Sequence, residues 1–283
     1  MLLPHAELDN RDLSNLDFSD IDLSSSSLDG TIYSETVFRN TSFTKSSLDR
    51  AVFRDCTFDT TSFEDASIRS AVFHDCTFIR CNFSSARIID TRFGQSSFEF
   101  CKMEATEFAE IRLSGNQINY LNLCNAEIRD CSFTDLNFRE CDLSFMRINR
   151  SVFKNVNLSR SRSDNLEIYK SLLLEVCFDD SDLTSCEMMD SYFDECSFRK
   201  VQVDGGLLMN CGLRDSSFEN GSLRSVDFSG SDLSNAVFEF ANLEAADFYG
   251  CNLHKTNFSR ANLSLVDMEF MSLNDTVMPE SSS

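Results

Sequence analysis

The chain has 283 residues, a net charge of −21, 27 Phe, 12 Cys, 9 Gly and 2 Pro. So acidic a chain lacks the basic surface required to bind nucleic acid directly or to lie on an anionic membrane. No apolar stretch approaches the roughly 20 residues that cross a bilayer. With no signal-peptide pattern at its start, the chain is expected to be cytoplasmic, with secretion by a signal-peptide-independent route as the alternative.

After a short lead at residues 1–5, the sequence divides into blocks of five residues. From Ala6 to residue 280 there are 55 such blocks, with no insertion or deletion. The third residue of each block is a large apolar residue in every block but one, and the exception is Ser163. We therefore predict a single domain over residues 6–280, followed by a tail at 281–283. Ser163 predicts a local void or bulge, or a bend that shapes the surface for a partner.

A period of five matches neither the 3.6 residues of a helix turn nor the alternation of a strand. A chain that turns a corner every five residues does match it. The first residue of each block is usually small, the third is large and apolar, and the other three are mostly polar. We predict that the first and third residues point inward, and that the second, fourth and fifth point outward.

The number of corners per turn follows from a repeat at twenty residues. The stretch AVFRDCTF at 51–58 returns at 71–78 as AVFHDCTF. Third-position residues sorted at this interval give a column in which 11 of 14 members are Phe. Its phenylalanines are Phe18, Phe38, Phe58, Phe78, Phe98, Phe138, Phe178, Phe198, Phe218, Phe238 and Phe258. Four blocks therefore make one turn, with sides that begin at Ala6 (first), Arg11 (second), Leu16 (third) and Ile21 (fourth). This predicts about 14 coils and, at about 4.8 Å per coil, a length of roughly 65 Å.

Blocks such as ANLEA (241–245), ADFYG (246–250), ANLSL (261–265) and SDLSN (231–235) resemble the A-(D/N)-L-x-x repeat of the pentapeptide-repeat family. The resemblance covers residues 6 to about 280. It implies an all-β fold, a right-handed quadrilateral β-helix. Repeat arrays usually protect their open ends with caps. Because few residues flank the repeats, we expect one or both ends to pair with a second molecule and give a homodimer.

Nothing in the sequence indicates catalysis, a metal or a cofactor. Ten of the 12 cysteines lie at the first, inward position, and without a secretory signal they are expected to be free packing thiols. Cys124 and Cys177 lie at outward positions, where a reagent would reach them first. The three histidines are too far apart in the coil to form one site. We predict a protein that is not an enzyme.

The candidate partner-binding residues lie on the outside. The first side carries −9 of the total charge, against −4, −3 and −5 for the second, third and fourth. We predict that a basic partner would bind a set of acidic residues on this side, namely Glu7, Asp9, Glu107, Glu110, Glu127, Glu187, Asp190, Asp227, Asp247, Asp267 and Glu269. The outward aromatic residues Phe100 and Tyr120, which stack in adjacent coils, are a second candidate docking site.

Two functions remain open. One is a rigid interaction rod, of the scaffold or bacterial effector type, that binds a protein partner. The other is DNA mimicry, because the chain is similar in fold and acidity to the Qnr-type members of the family, which confer fluoroquinolone resistance by occupying the DNA-binding surface of DNA gyrase or topoisomerase IV. Duplex DNA would carry about 38 charges over ~65 Å, against a net 21 here. Those members dimerise through a C-terminal helix, and the Qnr type has projecting loops. Neither feature is found in this sequence.

Overall fold

The fold is an all-β solenoid in which each turn is paired with the next by parallel β-bridges. A computed structural model describes residues 3–267, 269 and 272–279. It divides into two compact units, Met1–Cys141 and Asp142–Ser283. The predicted tail at 281–283 lies outside the described residues.

Every pairing joins residues twenty apart, as the sequence repeat predicts. The parallel register places Phe53 opposite Phe73, and Phe58 opposite Phe78. Pairs of this kind fall into four columns, one for each predicted side. The four-sided turn of twenty residues is therefore confirmed.

In the first unit, strands occur on three of the four sides. The second side holds β1 (Ile32–Ser34), β3 (Val52–Arg54), β6 (Val72–His74), β9 (Arg92–Gly94), β12 (Arg112–Ser114) and β15 (Ser132–Asn137). The third side holds β2 (Val37–Arg39), β4 (Thr57–Asp59), β7 (Thr77–Ile79), β10 (Ser97–Glu99) and β13 (Gln117–Asn119). The first side holds β5 (Ser67–Arg69), β8 (Arg87–Ile89), β11 (Glu107–Ala109) and β14 (Glu127–Arg129). The fourth side is paired only by isolated bridges, such as Ser42 with Ser62.

In the second unit, regular strands occur on two sides. The first side holds β16 (Arg147–Asn149), β18 (Glu167–Tyr169) and β20 (Glu187–Met189). The second side holds β17 (Val152–Asn157) and β19 (Leu172–Leu174). Beyond these strands, isolated bridges continue the same register, for example from Asp227 to Asp247.

Regular strands mark fewer turns than the predicted 14 coils. The second side has six strands in one unit and two in the other, so its strands mark about eight turns. Elsewhere the ladder is reduced to single bridges. A second-position Asp or Asn often accepts the N–H of the residue two positions later, as Asp22 does from Ser24 (2.9 Å) and Asn257 from Ser259 (2.9 Å). This side-chain bond closes a local turn that competes with an extended strand.

The corners lie at the fifth position of each block. Every fifth residue from His5 to Leu265, and also Asp275, has a positive φ, although only five of them are glycine. This conformation directs the corner N–H at a carbonyl in the next turn, as in the bond from Arg50 N–H to the Arg69 carbonyl (2.7 Å). The hydrogen bond offsets the steric cost of the left-handed conformation. This explains how a chain with few Gly and Pro residues can turn a corner every five residues.

The interior is filled from the first and third positions, as predicted. In the Phe column, Phe58 stacks on Phe78 with ring centroids 4.7 Å apart and planes within 5°. Phe58 also meets Phe53 of the neighbouring side edge to face, at 5.4 Å. Both rings are fully buried. Each phenylalanine therefore combines a large apolar area with two favourable ring geometries.

Ser163 lies in the interior without distorting the coil. Its side chain is fully buried, and its hydroxyl lies 2.8 Å from that of Ser161, which donates to the Leu158 carbonyl (2.7 Å). The neighbouring Arg162 pairs in register with Asp142 and Asp182. The predicted bulge is therefore absent, and a second serine satisfies the buried hydroxyl.

Candidate protein-interaction surfaces

The titratable side chains are dispersed over the surface of each unit. Among the described residues, no group of three His, Cys, Asp or Glu side chains could hold a metal ion. His74 pairs with the adjacent Asp75 (2.7 Å), and His254 lies 3.9 Å from Asp275. Over the same residues, no helix is long and apolar enough to cross a membrane.

The cysteines form no disulfide among the described residues, and most are buried thiols. Burial raises the pKa of Cys186 and of Cys211 to about 12. Cys124 and Cys177 are half-buried, and so is Cys251, which the sequence places at an inward position. A raised pKa leaves little thiolate at neutral pH, so the two buried thiols of Cys186 and Cys211 are poor nucleophiles.

The acidic residues of the first side differ between the two units. In the first unit, Glu107 lies between Arg87 (2.8 Å) and Arg129 (3.4 Å). These ion pairs neutralise its charge. Glu7, Asp9, Glu110 and Glu127 are exposed, and Asp9 accepts from the Ser27 hydroxyl (2.7 Å) and the Asp29 N–H (3.0 Å).

In the second unit, the first side contains no Lys or Arg in its five successive blocks from residue 186 to 270. Glu187 accepts a hydrogen bond from the Tyr169 hydroxyl. Asp190 and Glu269 are exposed. We call the set Glu187, Asp190, Asp227, Asp247, Asp267 and Glu269 the acidic face. No basic residue lies among these carboxylates within the five blocks, although the block at 206–210 has no acidic residue.

Three members of the acidic face are held in one orientation by the backbone. One carboxylate oxygen accepts the N–H two residues later, in Asp227 (2.8 Å), Asp247 (2.8 Å) and Asp267 (2.9 Å). Asp227 and Asp247 are also paired residues of successive turns. Among the described residues, the second oxygen of each carboxylate has no hydrogen-bond donor, and its orientation is already fixed, so that binding a partner costs little side-chain entropy.

Two exposed apolar residues lie among these carboxylates. Tyr249 is 72% exposed and Leu265 is 81% exposed. Together with Asp247 and Asp267 they line a shallow groove. Neither side chain has an evident role in the fold. An aromatic anchor within a charged rim is the usual composition of a protein-binding hot spot.

The predicted aromatic pair is present in the first unit. The rings of Phe100 and Tyr120 stack at 5.0 Å with planes 1° apart, and the side chains are 51% and 54% exposed. Both are corner residues with positive φ. At a corner of the second unit, the Arg260 guanidinium lies 5.0 Å from the centre of the Phe240 ring. Aromatic corners of this kind can therefore hold a guanidinium.

Sequence reasoning overlooked a row of apolar residues on the second side of the second unit. Val152, Leu172 and Tyr192 occupy the outward second position in three successive turns. Val152 is 37% exposed and Tyr192 is 58% exposed. Second-position residues taken at intervals of twenty show this row, together with a similar one at Ile32, Val52 and Val72 in the first unit.

Family models match several parts of the chain. "Pentapeptide repeat region" matches residues 171–248, and "Pentapeptide repeats (8 copies)" matches 106–144, 231–269 and 241–278. A third model, "SV2A/B/C luminal domain", matches residues 16–108. No curated protein matches the chain at a significant level.

Several solved structures are similar. HetL from Nostoc sp. strain PCC 7120, a pentapeptide repeat protein involved in heterocyst differentiation regulation, is 18% identical over 95% of this chain and 92% of HetL, with a TM-score of 0.28. A pentapeptide repeat protein of the Arabidopsis thaliana thylakoid lumen is 22% identical over 36% of this chain and 63% of its own, with a TM-score of 0.27. QnrB1, a plasmid-mediated fluoroquinolone resistance protein, is 14% identical over 84% and 89% of the two chains, with a TM-score of 0.24.

Proposed function

Because the chain belongs to the pentapeptide-repeat family, we propose that it is a non-catalytic interaction protein that binds a partner with a basic surface through the acidic face of its second unit. The fold supplies a rigid lattice of outward side chains on a packed interior. Function in such a fold depends on which outward residues are grouped together.

The observation that carries the proposal is the uncompensated charge of the acidic face. Acidic side chains elsewhere are often paired, as Asp232 is with Arg214 (2.6 Å) and Asp204 with Arg224 (2.6 Å). The first side after residue 186 has no basic residue with which to form such pairs. Like charges that lie close together repel one another and destabilise the folded protein. A basic partner would neutralise them, so this array favours binding of such a partner.

Tyr249 and Leu265 supply the apolar contact that charge alone does not provide. Complementary charges mainly raise the association rate and set the orientation of a complex, whereas buried aromatic anchors determine most of its lifetime. We expect Tyr249 to lie at the centre of the interface, with Asp247 and Asp267 at its rim.

Site-directed photo-crosslinking in cells that produce the protein tests this proposal. Replacing Tyr249 by the photo-crosslinking amino acid p-benzoylphenylalanine should capture one protein with a basic contact surface. The same amino acid at Ile32, an exposed residue of the other unit, is the matched control. Capture at Tyr249 should disappear when Asp227 and Asp247 are replaced by Asn. Equal capture at both positions, or capture unaffected by those substitutions, would refute the proposal.

DNA mimicry is the second candidate function, and a local charge density favours it. Residues 171–250 carry 16 acidic and 4 basic residues, a net charge of −12. At about 4.8 Å per turn, these four turns extend about 19 Å. The result is one net charge per about 1.6 Å, close to the ~1.7 Å of duplex DNA. The overall charge is too low for a mimic of full length, but this segment reaches the density of DNA.

A supercoiling assay with DNA gyrase, with and without a fluoroquinolone, separates the two candidates. A mimic should inhibit supercoiling or protect the enzyme from the drug, and the effect should weaken as salt screens the charges. No effect at protein concentrations of about 50 μM, well above the Kd of a specific complex, would eliminate mimicry and leave the first proposal intact.

A further inference from the structure

The row formed by Val152, Leu172 and Tyr192 has a chemistry opposite to that of the acidic face. On the second side the outward second position is apolar three times in succession here and also at Ile32, Val52 and Val72 in the first unit, but only the row of the second unit contains an aromatic residue. Val152 and Leu172 are directly paired between β17 and β19, and Leu172 is bridged to Tyr192. The row therefore forms a continuous apolar strip along the direction in which the turns stack.

The tyrosine at the end of this row is held by a glycine. A Cβ added to Gly212, in the next turn, would lie 2.7 Å from Cδ1 of Tyr192. The Tyr192 ring therefore lies on the backbone of Gly212, which is buried beneath it, while the tyrosine stays 58% exposed. An aromatic ring that is fixed in place and still exposed is a suitable binding anchor, because little entropy remains to be lost.

The apolar strip has a basic rim. Arg150 and Lys170 line the same groove as Val152, Leu172 and Tyr192, with Asp190 at its far end. Lys154 follows Val152 on β17 and is paired with the half-buried Leu174. The charged residues that line the groove are Arg150 and Lys170 against Asp190, and with Lys154 they give a local excess of positive charge in a chain whose total is −21. A partner that fits this groove carries negative charge around an apolar face.

The spacing of the three anchors indicates whether a helix or a strand of the partner would fit the strip. The turns of this unit are separated by 4.7 to 4.9 Å, as the stacked rings of Phe178, Phe198 and Phe218 show. Three anchors therefore extend over about 10 Å. Residues i and i+7 of a helix are about 10.5 Å apart, whereas residues i and i+4 on one face of a strand are about 13 Å apart. The helical spacing is the better match.

We propose that the groove formed by Val152, Leu172 and Tyr192, with Lys154 and Lys170 at its rim, binds an acidic amphipathic helix of a partner protein. The helix would lie along the stacking direction, with its apolar stripe on the three anchors and its carboxylates beside the two lysines. Asp190 belongs to the acidic face and also lines this groove, but the three anchors and the two lysines lie outside the acidic face. Because the ligand has the opposite charge, the peptide test is independent of the proposed function.

Fluorescence anisotropy with labelled peptides tests the proposal on the full chain. The probe is a helical peptide of about 14 residues, with Leu at i, i+4 and i+7 and Glu at most other positions. A peptide of the same composition with alternating Leu and Glu is the control for spacing. We expect the helical peptide to bind at least about tenfold more tightly than the alternating one. Because the whole chain is strongly acidic, non-specific attraction cannot produce this result.

Three variants locate the binding. Tyr192→Ser, and Lys154→Glu combined with Lys170→Glu, should each weaken the helical peptide by about tenfold or more. Gly212→Ala should weaken it as well, by displacing the Tyr192 ring. Ile32→Ser, which alters an exposed apolar residue at the corresponding second position of the other unit, should leave binding unchanged and serves as the matched control.

Three outcomes would overturn the proposal. The first is that both peptides bind equally or neither binds below ~1 mM. The second is that the chain self-associates in sedimentation experiments and Tyr192→Ser abolishes this, which would make a second copy the occupant. The third is that phosphatidylserine vesicles, and not the helical peptide, bind in a manner that depends on Lys154 and Lys170.

Discussion

At the scale of single residues, the corner is where this fold departs most from ordinary backbone preferences. Bulky residues such as Phe100, Tyr120 and Phe145 adopt positive φ with exposed side chains. The N–H of Phe100 still reaches the carbonyl of Asn119 (3.1 Å), and that of Phe145 reaches the carbonyl of Asp164 (3.0 Å). The backbone geometry is imposed by the ladder, and the corner side chain is free to serve binding.

The steric cost of the corner can be measured at Gly205. Its φ is +70°, and a Cβ there would meet no atom within 4 Å. Gly205→Ala should therefore destabilise the protein through backbone conformation alone, by about 1 kcal/mol. Gly205→Asn should cost less, since Asn tolerates this conformation better. Urea denaturation of the three proteins checks the order, and equal midpoints would contradict it.

The buried hydroxyl of Tyr33 lowers the free energy of unfolding, and the packing of its ring does not require it. Its side chain is fully buried, and its hydroxyl has no hydrogen-bond partner among the described residues. Burial raises the pKa of this hydroxyl, and the ring stacks on Phe53 at 4.7 Å. Tyr33→Phe keeps the stack and removes the unsatisfied group, so we expect a gain of about 1 kcal/mol in unfolding free energy. Tyr120→Phe, at an exposed ring, is the control and should be neutral.

At the scale of elements, the aromatic ladder stabilises the first unit more than its short strands do. Three-residue strands contribute few hydrogen bonds each, whereas a buried ring such as Phe58 contacts rings in its own turn and in the next. Phe58→Ala should cost about 3–5 kcal/mol, while Phe100→Ala, at an exposed ring, should cost less than about 0.5 kcal/mol. Thermal and urea unfolding would detect the difference. Similar losses for the two variants would show that the ladder is not the main source of stability.

The second-position aspartates make the stability depend on pH. Hydrogen bonds from the side chain and backbone of the serine two residues later lower the pKa of Asp12, Asp17 and Asp22. Their contribution is therefore complete above the ordinary pKa of Asp, about 3.9, and is lost as the pH falls through the lower folded-state values. Replacing all three by Asn keeps the acceptor oxygen and removes the titration. The urea midpoint of this variant should fall less between pH 7 and pH 3 than that of the unaltered protein.

At the scale of the whole molecule, much of the fold could be predicted because its inward positions repeat. The apolar third residue and the Phe column led directly to the four-sided turn. The strand pattern was harder to predict, because local hydrogen bonds, such as that from the Ser24 N–H to Asp22, decide whether one side of a turn forms a strand or an isolated bridge. The division at Cys141 has no marker in the repeat itself.

The surface was less predictable, because its properties depend on neighbours twenty residues apart. Glu107 was grouped with the acidic candidates, yet Arg87 and Arg129 neutralise it. The fixed ring of Tyr192 depends on Gly212 in the next turn. Composition by side detects an excess of charge, but only side-chain geometry shows which charges are paired.

The central claim is that the position of the acidic charges, and not their number, determines binding. Two variants with the same net charge of −16, five charges fewer than the unaltered chain, test it. One carries Asn or Gln on the acidic face in place of Glu187, Asp190, Asp227, Asp247 and Asp267. The matched variant carries them in place of Asp12, Asp17, Glu35, Asp55 and Asp65, which lie on other sides of the first unit.

Isothermal titration with an arginine-rich peptide at about 0.15 M salt, where distant charges are screened, gives the most direct measurement. The account predicts a loss of about tenfold in affinity for the acidic-face variant, and less than about twofold for the matched variant. An equal loss in the two variants would mean that the peptide is attracted by net charge alone, and would contradict the assignment of the acidic face as a binding surface.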